Sequence, residues 1–251
     1  MSEPLIRFRN IRKSFDSQRV LDGINLAIEQ GVVTTVIGRS GVGKSVLLKL
    51  VVGLLVPDEG EILYGDKNLL EMSGKERRSL KRKFSYMFQN TALFDSMTVF
   101  GNIALPLEEK TKLSGEAIRE KVLEKMRLLE LYDAEDKYPA QLSGGMRKRL
   151  ALARALITDP EIILFDEPTT GLDPVRKAAV HNMIARYQRE LGFTAVVVSH
   201  DIPDVFAISQ KVAMLENGKI LFEGTHAEIE NCPDLVVQRF IRGEEGPGDS
   251  D

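Results

Sequence analysis

Eight consecutive residues, Gly38-Arg39-Ser40-Gly41-Val42-Gly43-Lys44-Ser45, satisfy the spacing G-x-x-x-x-G-K-[ST] at every fixed position. That spelling suits a chain of phosphates. Several backbone N–H groups must converge on one anion, and Gly38, Gly41 and Gly43 tolerate the tight path this requires. Arg39, Ser40 and Val42 complete the loop. A helix opening directly after it adds partial positive charge at its N-terminus. On this pattern Lys44 reaches the β- and γ-phosphates of a nucleotide and the Ser45 hydroxyl binds Mg²⁺.

Two further stretches could share in that chemistry. The apolar run Ile162-Ile163-Leu164-Phe165 leads straight into Asp166-Glu167-Pro168. Asp166 is placed to hold Mg²⁺ through water, and Glu167 to polarise an attacking water. Alternation along a strand would point the two carboxylates to opposite sides. Leu142-Ser143-Gly144-Gly145-Met146 is a second glycine turn, ahead of a helix expected over Arg147–Ile157. Its hydroxyl, its N–H groups and the helix N-terminus make a second anion site. Two phosphate sites far apart in one chain are reconciled by a two-fold dimer, in which the second site of one subunit closes over the nucleotide of the other.

The elements that must position these groups can be read around them. Val32–Ile37 forms a buried strand before the phosphate loop, and Val46–Val52 a helix after it. Leu5–Ile11 alternates as a half-buried strand does, and a second strand follows around Ile24–Ile28. Phe15 falls on the loop between them, where an aromatic could stack on an adenine or fold back onto the core; position alone favours the core. Strands are expected at Glu61–Tyr64 and Phe84–Phe88. Asn90–Leu142 is mostly helical, with amphipathic spacing at Ile118, Val122, Met126 and Leu129. Thr194–Val198 is another apolar strand, leading into Ser199-His200-Asp201. Continuous apolar strands belong to parallel sheets covered on both faces, which bind ligands at their C-terminal ends. Val212–Glu216 and Lys219–Phe222 flank Asn217-Gly218 as a hairpin. A last helix is expected from about Asp234 to Ile241, and a disordered acidic tail over residues 243–251.

Composition narrows the classes. A net charge of −3 gives no global pull toward nucleic acid. The basic run at Lys75, Arg77, Arg78, Lys81, Arg82 and Lys83 could bind anionic lipid or nucleic acid, but a solvated helix face is the commoner explanation for such a run. The single Cys232 cannot form an internal disulfide, which fits a reducing cytosol. There is no apolar signal core at Met1-Ser2-Glu3-Pro4 and no run long enough to cross a bilayer, so a membrane role must come through a partner.

Taken together, Gly38–Ser45, Gln89, Leu142–Met146, Ile162–Glu167, Gly171-Leu172-Asp173 and His200 resemble, in order and spacing, the ATPase subunits of ABC transporters. The resemblance covers about Leu5 to Phe222. It implies an α/β P-loop NTPase of the ABC type: a RecA-like core over about 1–89 and 158–242, an N-terminal antiparallel β subdomain, and an inserted helical subdomain over about 90–157. It also implies ATP and Mg²⁺, and a homodimer that closes on ATP. Phe15 then resembles the adenine-stacking aromatic, reversing the positional reading. Gln89 resembles the glutamine that touches Mg²⁺ and water, His200 the histidine on the γ-phosphate, and Asp173 the aspartate at the dimer interface. Ser143, Gly144 and Gly145 would contact the partner subunit's γ-phosphate.

One position departs from the family: Met146 stands where the signature usually ends in Gln, and Met cannot make the amide's hydrogen bonds. Leu-Ser-Gly-Gly-Met resembles the signature of ATPases serving Mla-type (MCE-associated) lipid transporters, as do Ala92–Phe100, Val197–Pro203 and Pro233-Asp234 ahead of Gln238-Arg239-Phe240. This implies phospholipid transport between the inner and outer membranes of a Gram-negative envelope. It implies a place on the cytoplasmic face of the inner membrane through an integral permease, an MCE-type lipid-binding protein, and a small STAS-domain subunit as a further partner. Phe94, Asp95 and Met97 would lie where such ATPases receive the permease. The alternatives are an ATPase for amino-acid or drug transport, and a soluble ABC protein acting on ribosomes or nucleic acid.

Overall fold

The structure is a computed structural model and describes residues 4–87 and 91–244. Alternating apolar residues near the N-terminus build β1 (Ile6–Phe15) and β2 (Gln18–Ile28). With β4 (Glu59–Tyr64) and β5 (Lys67–Asn68) they form an antiparallel sheet in the order β2-β1-β4-β5. The first two strands run further than their apolar pattern predicts. Phe15 pairs with Gln18 and is the last residue of β1, not part of a loop. The turn Asp16-Ser17, with Asp16 at φ 50°, closes the hairpin directly behind it.

The second sheet has six strands: β3 (Val33–Ile37), β6 (Phe84–Met87), β7 (Ile162–Asp166), β8 (Thr194–Ser199), β9 (Lys211–Glu216) and β10 (Lys219–Gly224). Their order is β10-β9-β3-β8-β7-β6. Pairing is parallel from β9 across to β6, and β10 closes one edge as an antiparallel hairpin. Asn217 and Gly218, at φ 47° and 73°, supply the two left-handed residues that a tight hairpin turn needs.

Strand alternation divides the core in two. Ile37, Phe165, Val197 and Met214 point to one face, which is covered by α3 (Val99–Lys110), α4 (Gly115–Leu128), α5 (Gly144–Leu156) and α6 (Pro174–Leu191). Val36, Leu164, Val198 and Leu215 point to the other, where α1 (Lys44–Val51) and the antiparallel sheet pack. Burial on both faces is why these strands read as unbroken apolar runs.

The basic run forms α2 (Gly74–Lys81), started by a capping box between Ser73 and Glu76. Leu80 is its one buried residue. The chain continues through α7 (His226–Glu230) to α8 (Leu235–Ile241), whose N-cap is Asp234. Among the described residues no helix is long and apolar enough to cross a membrane. Most of the expected acidic tail, from position 245 on, lies outside the described residues.

Candidate nucleotide site

The phosphate loop joins the buried end of β3 to α1, and its shape depends on missing side chains. A Cβ on Gly38 would run into the carbonyl oxygen of Leu215 in β9. A Cβ on Gly43, at φ 109°, would come within 2.8 Å of Val20 Cγ1 in β2. The loop is thus held between the two sheets, with no room for larger residues at either end. Gly41 has φ 80° but faces open space.

Lys44 begins α1 and is only 3% exposed. Its ammonium donates to the carbonyls of Gly38 and Arg39, at 2.8 and 2.9 Å, and lies 3.5 Å from Glu167 Oε1. Burial lowers the Lys44 pKa, outweighing the attraction of Glu167 that would raise it. Ser45 Oγ donates to Asp166 Oδ1 at 2.8 Å. The hydroxyl of Tyr86 donates to the other oxygen, Oδ2, at 2.7 Å.

Asp166 and Glu167 do diverge, but not by continued strand alternation. β7 ends at Asp166, and Glu167 takes a left-handed backbone at φ 46°. Its N–H donates to the Val198 carbonyl at 3.0 Å. A non-glycine residue in that region costs about 1–2 kcal/mol, and the neighbouring structure must hold it there. The side chain turns toward Lys44 on one side. On the other it accepts from Thr170 Oγ1 at 3.0 Å and lies 3.3 Å from His200 Nδ1. Burial raises the Glu167 pKa. The hydrogen bond from Thr170 and the charges of Lys44 and His200 outweigh that, and hold the carboxyl below its ordinary range. Next to His200, the buried Asp201 accepts from Thr169 and Lys177, which ties the end of β8 to the start of α6.

The structure therefore brings Lys44, Ser45, Asp166, Glu167 and His200 into one cluster. The hairpin carrying Phe15 stands beside it, since Val20 packs on Gly43. Phe15 is 41% exposed, with the Lys13 ammonium 5.5 Å from its ring centre. The remaining predicted residues lie elsewhere. Ser143 caps α5 and accepts from the N–H of Met146 at 3.2 Å, while Gly144 and Gly145 open the helix with nothing within 4 Å of an added Cβ. Asp173 caps α6, accepting from the N–H of Arg176 at 3.0 Å. Among the described residues, no hydrogen bond or ion pair joins Ser143, Gly144, Gly145 or Asp173 to the Lys44–Glu167 cluster. Gln89 lies outside the described residues.

Several contributors escaped the sequence pattern. Tyr86 and Thr170 touch the two carboxylates but belong to no motif. Arg154, on α5, donates to the carbonyls of Thr91 and Ala92 at 2.9 and 2.8 Å and lies over the ring of Phe94. Asn102, fully buried, donates to the carbonyls of Phe94, Met97 and Thr98. These two side chains fix the segment from Thr91 to Thr98. Met146 packs its apolar side chain against the helical face of the core.

A strand, a glycine-built phosphate loop and a helix, with an acidic pair at the end of a nearby parallel strand, define a P-loop nucleoside triphosphatase. Comparison with known proteins places it more closely. The ABC transporter family profile matches residues 21–170. The intermembrane phospholipid transport system ATP-binding protein MlaF of Haemophilus influenzae is 37% identical over 248 residues, covering 98% of this chain and 94% of that protein. The probable ribonucleotide transport ATP-binding protein mkl of Mycobacterium leprae is 39% identical over 238 residues, covering 95% of this chain and 69% of that protein. Among solved structures, CbiO1 of Clostridium perfringens, part of the ABC transporter complex CbiONQ, superposes with a TM-score of 0.84 at 28% identity, covering 96% of each chain. The dimeric, post-hydrolysis ATP-binding cassette MJ0796 bound to ADP and Pi gives a TM-score of 0.76 at 32% identity, covering 88% of this chain and 98% of that one. The chain belongs to the ABC transporter family, and it is an ABC-type ATPase.

Proposed function

We propose that this chain is the ATP-hydrolysing motor of a transporter that moves phospholipid between the inner and outer membranes of a Gram-negative envelope. The likeness to MlaF along nearly the whole of both chains carries this reading. The Leu142–Met146 signature, with the half-buried Met146 packed against the core, supports it. The likeness to mkl, a probable ribonucleotide transport ATP-binding protein, favours a second reading, a transporter for a different, nucleotide-like cargo.

ATP is held, on this reading, by the N–H groups of Gly38–Ser45 and by Lys44, with Phe15 against the adenine. The donors available suit Mg²⁺. Ser45 offers a hard oxygen ligand and Asp166, already in contact with it, a carboxylate that would hold the ion through water; among the described residues no cluster of three His, Cys, Asp or Glu builds a larger cage. Mg²⁺ is commonly held by one or two protein oxygens together with phosphates and water. Bound there with Gln89, it would neutralise charge on the phosphates. Glu167 accepts the proton of the attacking water. His200 contacts the γ-phosphate and orients Glu167. Hydrolysis so arranged works by positioning and electrostatics rather than by covalent chemistry.

Ser143, Gly144, Gly145 and Asp173 act on the partner subunit's nucleotide in a homodimer. Gly144 and Gly145 have space around them within their own chain, so the fold does not require glycine there, whereas close approach of a second nucleotide does. The core and helical subdomain move as the dimer closes. Phe94, Asp95 and Met97 carry that motion to an integral permease on the inner membrane's cytoplasmic face. An MCE-type protein and a small STAS-domain subunit complete the assembly; nucleic acid has no part in it.

The test is mass spectrometry of protein and lipid on the complex purified at native abundance in mild detergent. The expected result is a multipass permease, an MCE-type protein and bound phospholipid. A permease with a different solute-binding protein would keep the motor and discard the cargo. Ribosomal partners without a membrane protein would overturn the transport reading.

A further inference from the structure

The Asp166 carboxylate is gripped from two elements, and only one of them is the phosphate loop. Ser45 holds Oδ1 from α1, and Tyr86 holds Oδ2 from β6. The strand register explains how. Tyr86 lies opposite Leu164 in the β6–β7 pair, so its side chain shares the sheet face of Leu164 and, two residues on, of Asp166. The ring spans that one step along the face and delivers its hydroxyl to the carboxylate. A tyrosine hydroxyl beside a carboxylate acts as the donor, because the ionised carboxylate can only accept. β6 is also the edge strand of its sheet, and Tyr86 lines a cleft of 330 Å³ between α2, α3, α5 and the segment that follows α1, with Leu54, Lys81, Pro106 and Lys110. One side chain thus spans from that open cleft to Asp166.

We infer that Tyr86 is a positioning residue for the metal-binding carboxylate: it fixes the rotation of Asp166 so that one oxygen stays directed at Ser45 and the metal. This rests on the reading of Asp166 as the carboxylate that holds Mg²⁺ through water. A carboxylate with one oxygen anchored by a neutral donor loses little freedom on binding a cation. Partners that orient a ligand in this way commonly change metal affinity by about 10–100-fold when removed.

The test uses the full chain with Tyr86→Phe, which keeps the ring and its packing and deletes only the hydroxyl. Affinity for a fluorescent ATP analogue is measured in EDTA and across a Mg²⁺ titration, with Asp166→Asn in parallel. Tyr86→Phe is expected to bind the analogue in EDTA within about twofold of the unaltered chain, and to need about 10-fold more Mg²⁺ for its half-maximal effect. An unchanged Mg²⁺ requirement would overturn the inference. So would equal weakening with and without Mg²⁺, because that marks a general packing role. If Asp166→Asn also leaves the Mg²⁺ requirement unmoved, the metal assignment of Asp166 fails and the inference falls with it. If Asp166→Asn shifts it and Tyr86→Phe does not, the role of Tyr86 alone is refuted.

Discussion

The ammonium of Lys44 lies 3.5 Å from the carboxylate of Glu167, so the residue that begins the helix after the phosphate loop is paired with the residue that turns out of β7. The contact links two motifs 123 residues apart in sequence (167 − 44). It also sets up the most direct test of the chemistry. Glu167→Gln keeps the shape of the side chain and removes its basicity. ATP binding should persist and turnover should fall by about 10²–10⁴, with ATP-bound dimers accumulating in size-exclusion chromatography. Near-normal hydrolysis would remove Glu167 from the role of base.

The environment of Glu167 also fixes a pH dependence. Its carboxyl is held below the ordinary glutamate value of about 4.3. The charged form is therefore favoured, and the carboxylate stays ionised as the pH falls to that value. The same depression contributes folding stability above the ordinary value, which is lost as the pH drops through the lowered one. In pH titrations of the nucleotide-free chain followed by NMR, the Glu167 carboxyl should titrate below the value of an exposed glutamate. A midpoint above it would contradict the network with Thr170, Lys44 and His200.

Gly144 and Gly145 separate folding from function. Alanine at either position meets nothing within 4 Å, and in a helix it is favoured over glycine by about 0.5–1 kcal/mol. Gly144→Ala and Gly145→Ala should therefore melt at or slightly above the temperature of the unaltered chain while losing most ATPase activity. Retained activity would mean that no second nucleotide approaches these residues.

The glycines of the phosphate loop behave in the opposite sense. Gly43→Ala combines φ 109° with a methyl 2.8 Å from Val20, so it should destabilise the fold by about 2 kcal/mol or more. Gly41→Ala has the same kind of backbone strain without the clash and should cost about half as much. Chemical denaturation of the two variants checks the order, and equal midpoints would refute the steric account.

Phe94 stands 47% exposed on the segment held by Arg154 and Asn102. Phe94→Ala should leave ATP affinity intact but uncouple ATPase from transport in the reconstituted complex. Unchanged lipid transfer would take Phe94 out of the coupling surface.

Much of this molecule could be read before its fold was known. The phosphate loop, the Asp166-Glu167 pair, the Leu142–Met146 turn and His200 are short, local spellings, and each sits at a strand end or helix start that its neighbours announce. The parallel strands were legible for the same reason, since burial on both faces leaves unbroken apolar runs. α6 was not, although it is an 18-residue helix. Its first turns face solvent, with Val175 79% exposed, and its apolar stripe begins only at Val180, continuing through Ile184 and Tyr187. The extent of β1 to Phe15 was hidden too, because pairing with Gln18, not hydrophobic pattern, extends that strand. Tertiary structure alone decided what touches the motifs: Tyr86 on Asp166, Thr170 on Glu167, Arg154 beneath Phe94. Those contacts depend on sheet register and on one left-handed residue, Glu167, that no spacing rule foretells. A motif is encoded by neighbours in sequence, whereas the side chains that orient it arrive from other strands and helices, brought there by the packing of both faces of one sheet.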